Sequence, residues 1–333
     1  MKMNHLPALA LLLAISHTAS ANAVPPFSGS IERLDPVLDK LIAADARIEA
    51  LASGFNWSEG PVWYNGGLVF SDVPENTAFV WKEGQKEAAV FLKPSGSTKP
   101  DGGQGSNGLA VDAEGNLILC QHGDRRIARL ERGGKFKTVV SRYGDHLFNS
   151  PNDIAIAKNG DLFFTDPPYG LKDKASREIA ENGVYHFSKA GKLTMIVKDL
   201  TFPNGIALSP DEKILFVAVS DPAATRVMAY DLQADGSAAN GRVFFDAQPL
   251  KSKERKGGCD GLKVDEHGNV WTTGPGGVLV ISKEGKHLGT ILTGQATANC
   301  AWGDDGSTLY ITADMHLVRV KTLVKGSHFA GGK

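Results

Sequence analysis

Only three cysteines occur in 333 residues, at positions 120, 259 and 300. An odd number excludes a fully paired disulfide framework, and no Cys-x-x-Cys or Cys/His spacing suggests zinc. Cys120 ends the apolar run Leu117-Ile118-Leu119 and reads as a buried strand thiol; which cysteines, if any, are paired stays open. No Gly-x-Ser-x-Gly elbow is present, which disfavours a serine hydrolase. No charge of one sign dominates, since 36 Lys and Arg face 37 Asp and Glu, which argues against an electrostatic nucleic-acid binder. Beyond the N-terminus no apolar run approaches membrane-spanning length. A basic Lys2, the apolar stretch 6–15 and the small residues Ala19, Ala21 and Ala23 predict a signal peptide over 1–23. The mature chain, 24–333, is then expected as one exported domain, periplasmic or secreted, with no membrane association and a monomeric or weakly homo-oligomeric state.

What the chain has in excess is glycine, 38 residues, and the glycines mark a repeat. Asn107-Gly108-Leu109-Ala110-Val111, Asn152-Asp153-Ile154-Ala155-Ile156, Asn204-Gly205-Ile206-Ala207-Leu208 and Asp260-Gly261-Leu262-Lys263-Val264 each run from a polar side chain into a short apolar strand. A turn with Gly, Asp or Asn and a second apolar strand follow. Weaker copies begin at Glu59 and Asn299. The six starts, 59, 107, 152, 204, 260 and 299, lie 39 to 56 residues apart, close to the length of a four-stranded propeller blade. The pattern predicts an all-β, six-bladed β-propeller. The last repeat has room for only three strands, so 46–52 is expected to supply the missing outer strand and close the ring. Residues 30–45, with Asp35-Pro36 and the spacing of Leu38, Leu41 and Ile42, predict a short N-terminal helix at that closure. The basic stretch 251–256 reads as a solvated loop, with a lid over the channel as the alternative.

The first strand of each blade lines the central channel, so the repeat starts form a ring: Glu59, Asn107, Asn152, Asn204, Asp260 and Asn299. Every member carries a side-chain oxygen, and none offers sulfur or imidazole. This donor set suits a hard cation such as Ca2+, which takes six to eight oxygens in loose geometry, or another divalent ion of that kind.

These motifs together resemble one family. Trp57-Ser58-Glu59-Gly60-Pro61-Val62-Trp63, Ser150-Pro151-Asn152-Asp153, Phe202-Pro203-Asn204-Gly205 and Cys259-Asp260-Gly261, in this order, are similar to the senescence-marker-protein-30, gluconolactonase and luciferin-regenerating-enzyme superfamily. The resemblance spans roughly 50–322. It implies one divalent metal, usually calcium, held by Glu59, Asn152, Asn204 and Asp260. Bacterial gluconolactonase-like members share two further stretches, Gln121-His122-Gly123-Asp124-Arg125-Arg126 and Phe164-Thr165-Asp166-Pro167-Pro168-Tyr169-Gly170. The resemblance therefore places His122, Arg125, Asp166 and Tyr169, with Asn107 and Asn299, around a substrate pocket. The implied activity is hydrolysis of a small lactone such as glucono-1,5-lactone, its carbonyl polarised by the metal and Asp260 acting as general base or as nucleophile. Another lactone or a phosphoester-like substrate at the same centre is an alternative. A non-enzymatic calcium-binding scaffold is another. A quinone-dependent dehydrogenase is disfavoured for want of a basic cofactor cradle.

Overall fold

A computed structural model describes residues 27–329; the signal-peptide expectation for 1–23 lies outside these residues. Six antiparallel sheets follow one another along the chain and form a six-bladed β-propeller. Blade 1 is typical. Its strands Ser58–Tyr64, Gly67–Asp72, Thr77–Trp81 and Ala89–Leu92 pair in sequence order. The innermost strands of the others are Ser106–Val111, Ile154–Ile156, Pro203–Leu208, Leu262–Val264 and Asn299–Gly303.

The core lies between blades. Second and third strands read as continuous apolar runs because both faces are covered; Val270–Gly274 and Gly277–Ile281 are buried at every residue. Leu68, Leu117, Phe164, Trp271 and Tyr310 have no exposed surface. Burying a side chain of this size contributes roughly 1.5–3 kcal/mol, so the inter-blade layers dominate stability.

Closure follows the expected route. Glu49–Ser53 pairs antiparallel with His316–Lys321 as the outer strand of blade 6. Arg319 ties the seam, donating to Glu49 at 2.8 Å, pairing with Glu83 and lying 5.4 Å over the Trp81 ring. The N-terminal helix is shorter than expected, a 3-10 turn over Pro36–Lys40 capped by Asp35. Its predecessor Ser30–Arg33 is a strand that adds a fifth member to blade 5 against His287–Leu292. Pro36 fixes where the turn starts, while the stretch before it has no helical partner and satisfies its backbone on an open sheet edge. All three cysteines are buried and unpaired. No helix among the described residues is long and apolar enough to cross a membrane.

Candidate functional site

The ring residues reach the channel through irregular backbone. In blades 1, 2 and 4 the first strand carries a register shift beside the ring position, between Glu59 and Val62, Ser106 and Leu109, and Pro203 and Ile206. Such bulges re-aim a side chain that strict alternation would send elsewhere. Asn152 and Asp260 sit just before the paired stretch of their strands. Gly60 shows why glycine follows the ring residue: its φ is +47°, and a Cβ there would lie 1.9 Å from the carbonyl oxygen of Asn107. The blades can converge at this layer only without that atom.

Hydroxyls on the second strands hold the ring residues' backbone. Ser71 donates to the carbonyl of Asn107 at 2.9 Å, Thr165 to that of Asn204 at 2.6 Å, and Thr273 to that of Ala298 at 3.1 Å. Carboxylates one residue further clamp the approach to the ring. Asp72 accepts the N–H groups of Asn56 and Trp57 at 3.0 and 3.1 Å. Asp166 accepts those of Asn149 and Ser150 at 2.7 and 2.8 Å. Asp166 is fully buried, so the structure makes it a brace for the Ser150-Pro151-Asn152 turn rather than a wall of the pocket. Arg125 is placed likewise. It runs under the same loop, donating to the carbonyls of Phe148 and Leu147 at 2.5 and 3.3 Å and pairing with Glu178 at 3.0 Å.

The other expected residues converge. Glu59, Asn107, His122, Asn152, Tyr169, Asn204 and Asp260 line one cavity of about 480 Å³ at the channel mouth. Asn299 is buried behind the wall rather than on it, and donates to Glu59 Oε2 at 3.2 Å. Trp57, Val73, Pro74, Gln104, Phe202, Ser220 and Pro222 complete the wall, and sequence reading missed them as site residues. Trp57 and Phe202 stood inside quoted motifs; Gln104 and Val73 come from connections with no repeat signal. Stretch 251–256 is absent from the wall. Lys251 donates to the carbonyl of Pro222 at 2.9 Å and Arg255 pairs with Glu32, so the segment is pinned to neighbouring surface.

A one-way hydrogen-bond chain crosses the floor. Asn107 Nδ2 donates to Asn152 Oδ1 at 2.9 Å, Asn152 Nδ2 to Asn204 Oδ1 at 2.5 Å, and Asn204 Nδ2 to Ser220 Oγ at 2.7 Å. The Ser220 hydroxyl in turn donates a hydrogen bond to the Cys259 carbonyl at 2.8 Å. His122 Nε2–H donates to Asn152 Oδ1 at 3.2 Å, and its Nδ1 stands 3.0 Å from the Gln104 side-chain amide. Burial pushes its imidazole down to about 4, so it is neutral near pH 7. Tyr169 stacks on Phe202 with centroids 6.1 Å apart, and burial pushes its phenol up.

Three site oxygens stand outside this network: Asp260 Oδ1, Asn107 Oδ1 and the Tyr169 hydroxyl are buried with no hydrogen-bond partner. Burial drives the carboxyls of Asp260 and Glu59 upward; the negative charge of Asp153 adds to both, and that of Glu59 adds to Asp260. Two buried acids with no cation on the cavity wall are costly when ionised, and a positive ion between them would offset that cost. Among the described residues no group of three His, Cys, Asp or Glu converges; the set reaches four donors only through the amides of Asn152 and Asn204. This all-oxygen set fits a hard divalent cation. On binding, the carbonyl oxygens of those amides, now occupied by neighbouring N–H groups, would have to turn toward the ion.

Comparisons with known proteins agree on the class. Residues 57–314 match the family model described as SMP-30/Gluconolactonase/LRE-like region, and the chain belongs to that family. The gluconolactonase of Zymomonas mobilis is 36% identical, the alignment covering 96% of this chain and 93% of that protein. The solved structure of a Xanthomonas campestris gluconolactonase superposes with a TM-score of 0.78 at 30% identity, covering 91% of this chain and 99% of that one. Regucalcin of Agrobacterium tumefaciens, a calcium-binding protein, shares the fold at a TM-score of 0.67 and 21% identity, over 84% of this chain and 95% of that one.

Proposed function

We propose that this chain is a lactone hydrolase that opens a small neutral sugar lactone, such as glucono-1,5-lactone, with a divalent cation, calcium by its donor chemistry, held by Glu59, Asn152, Asn204 and Asp260. The observation that carries the reading is the pair of buried carboxyls, Glu59 and Asp260, on the wall of a cavity of about 480 Å³, with Oδ1 of Asp260 lacking any hydrogen-bond partner. The lactone-hydrolysing relatives support the substrate class. The wall has no Lys or Arg, which favours an uncharged substrate over a phosphorylated one.

When bound, the cation supplies Lewis-acid polarisation of the lactone carbonyl and charge to offset the oxyanion. Asp260 Oδ1 accepts the proton of the attacking water as its oxygen adds to the carbonyl carbon. The same carboxyl then returns the proton to the ring oxygen as the C–O bond breaks, giving the aldonic acid. Asn107 Oδ1 accepts a hydrogen bond from a substrate hydroxyl. Neutral His122 holds the Asn152 amide and gives no charge to the site. Trp57, Val73, Pro74 and Phe202 cover the C–H faces and keep bulk water out. Export after cleavage near residue 23 belongs to the same proposal. The test is base consumption in a pH-stat with glucono-1,5-lactone, before and after chelation and after Ca2+ is restored. Loss and recovery of turnover are expected; turnover that survives full chelation would overturn the cation's role.

A further inference from the structure

Depth sorts the residues of the mouth cavity into three layers. Glu59, Asn107, Asn152 and Asn204 are buried at the floor. Trp57, Tyr169 and Phe202 are half-buried above them, and Pro74 and Pro222 are exposed at the rim. The upper layers are not spread evenly round the axis. Two residues before each ring position the chain carries Trp57, Gly105, Ser150, Phe202, Gly258 and Thr297. The two aromatic residues fall in blades 1 and 4, which face each other in a ring of six. Each leads into the first strand of its blade, Ser58–Tyr64 or Pro203–Leu208. Each of these blades also places a proline just after its second strand, Gly67–Asp72 or Ile214–Val219. Tyr169 thickens the blade 4 wall, its ring plane within 8° of that of Phe202. The other four positions hold small residues, so two opposite apolar walls narrow the mouth into a slot.

The slot is larger than one sugar ring needs. Even at the ~30 Å³ that a molecule of liquid water takes, the twelve heavy atoms of glucono-1,5-lactone would take about 360 Å³, and bonded atoms lie closer together than that. The cavity holds about 480 Å³, within the range of pockets that enclose larger ligands. The chemistry at the floor sets the direction of the surplus. With C1 of the lactone held at the Asp260 layer, C4 lies across the ring from it, and a substituent on O4 leaves through the slot.

We propose that the slot is a second subsite and that the preferred substrates are lactones of 4-linked disaccharides, the second sugar lying between the walls of blades 1 and 4. The inference rests on the lactone reading above. Flat apolar rings present a large contact area, and the half-buried Trp57 and Phe202 with the rim prolines cover the C–H faces of a pyranose while the hydroxyls at its edge stay in water.

The test compares kcat/KM for maltobiono-1,5-lactone and cellobiono-1,5-lactone with that for glucono-1,5-lactone, in a pH-stat and saturating Ca2+. The better of the two should exceed glucono-1,5-lactone at least fivefold, and a smaller ratio overturns the subsite. Pro74→Ser combined with Pro222→Ser should cut that ratio at least threefold; a ratio cut by less places the extra contacts elsewhere and overturns the proposal too. Wild-type protein that opens none of the three lactones overturns the lactone reading, and the subsite with it.

Discussion

Asp166 separates two roles that a sequence motif cannot distinguish, a hand for the substrate and a brace for the loop that carries Asn152. The brace reading has a calculable cost. Its carboxylate accepts two backbone N–H bonds at 2.7 and 2.8 Å with no solvent exposure. Burial pushes the Asp166 carboxyl up to about 7, so at pH 8, where it is ionised, hydrogen bonds to it contribute about 1.5–3 kcal/mol each, and a buried donor left unpaired costs about 1–3 kcal/mol. Asp166→Ala removes both bonds, so a loss of about 3–5 kcal/mol is expected, a large share of the roughly 5–15 kcal/mol that holds a typical domain. Asp166→Asn keeps one acceptor oxygen and should lose about half as much. Urea denaturation in chelator reads both values, with Asp72→Ala as the equivalent brace in blade 1. For protein that folds, KM for glucono-1,5-lactone should stay within about threefold while Ca2+ affinity falls, because Asn152 loses its support. A stability loss under 1 kcal/mol together with a tenfold rise in KM would refute the brace and return Asp166 to the substrate.

Further expectations follow from other parts of the molecule. His122 titrates near 4 when folded, against about 6.5 unfolded. The unfolded chain therefore takes up the proton first as pH falls, and about 3 kcal/mol of stability is lost between those values. His122→Gln should flatten that part of the urea stability profile measured in chelator; an unchanged slope would show that the imidazole is not held neutral. Arg319→Met removes the ties to Glu49 and Glu83 at the ring seam. Because both partners are largely exposed, the cost should be only about 1 kcal/mol and should shrink in high salt; a salt-independent loss would point to packing on Trp81 instead. N-terminal sequencing of the exported protein should begin near residue 24, whereas an intact Met1 in the mature protein would contradict export by a cleaved signal.

The propeller was legible because the same physical demand recurs six times. A channel strand needs a polar side chain at its mouth, then room for the next blade, then apolar residues for the layers between blades, and Asn107, Asn204 and Asp260 each show that order with glycine in second place. Even the non-covalent closure could be read, since the last repeat is a strand short. What escaped lay outside the period. Ser30–Arg33 is a strand only because blade 5 offers it an edge, and nothing local in its sequence announces that. Gln104 and Val73 reach the cavity on connections whose path no repeat dictates. Asp166 and Arg125 were read as pocket residues because they sit beside motif positions, and a motif does not say which way a side chain turns. A better signal was available for Asp166: Phe70-Ser71-Asp72 and Phe164-Thr165-Asp166 share the pattern Phe, hydroxyl residue, Asp on equivalent strands, and a carboxylate repeated between blades points to framework rather than to substrate.

In the proposed mechanism Asp260, by its unpaired buried oxygen, carries the proton for lactone opening. Initial rates of glucono-1,5-lactone hydrolysis by the wild type and Asp260→Asn, at one pH, in saturating Ca2+ and corrected for spontaneous opening, test it most directly. General-base participation accounts for roughly 10²–10⁴ in rate, so kcat should fall at least a hundredfold in a variant that melts as a folded propeller. A folded, Ca2+-saturated Asp260→Asn protein that keeps kcat within a few-fold of wild type would contradict the claim.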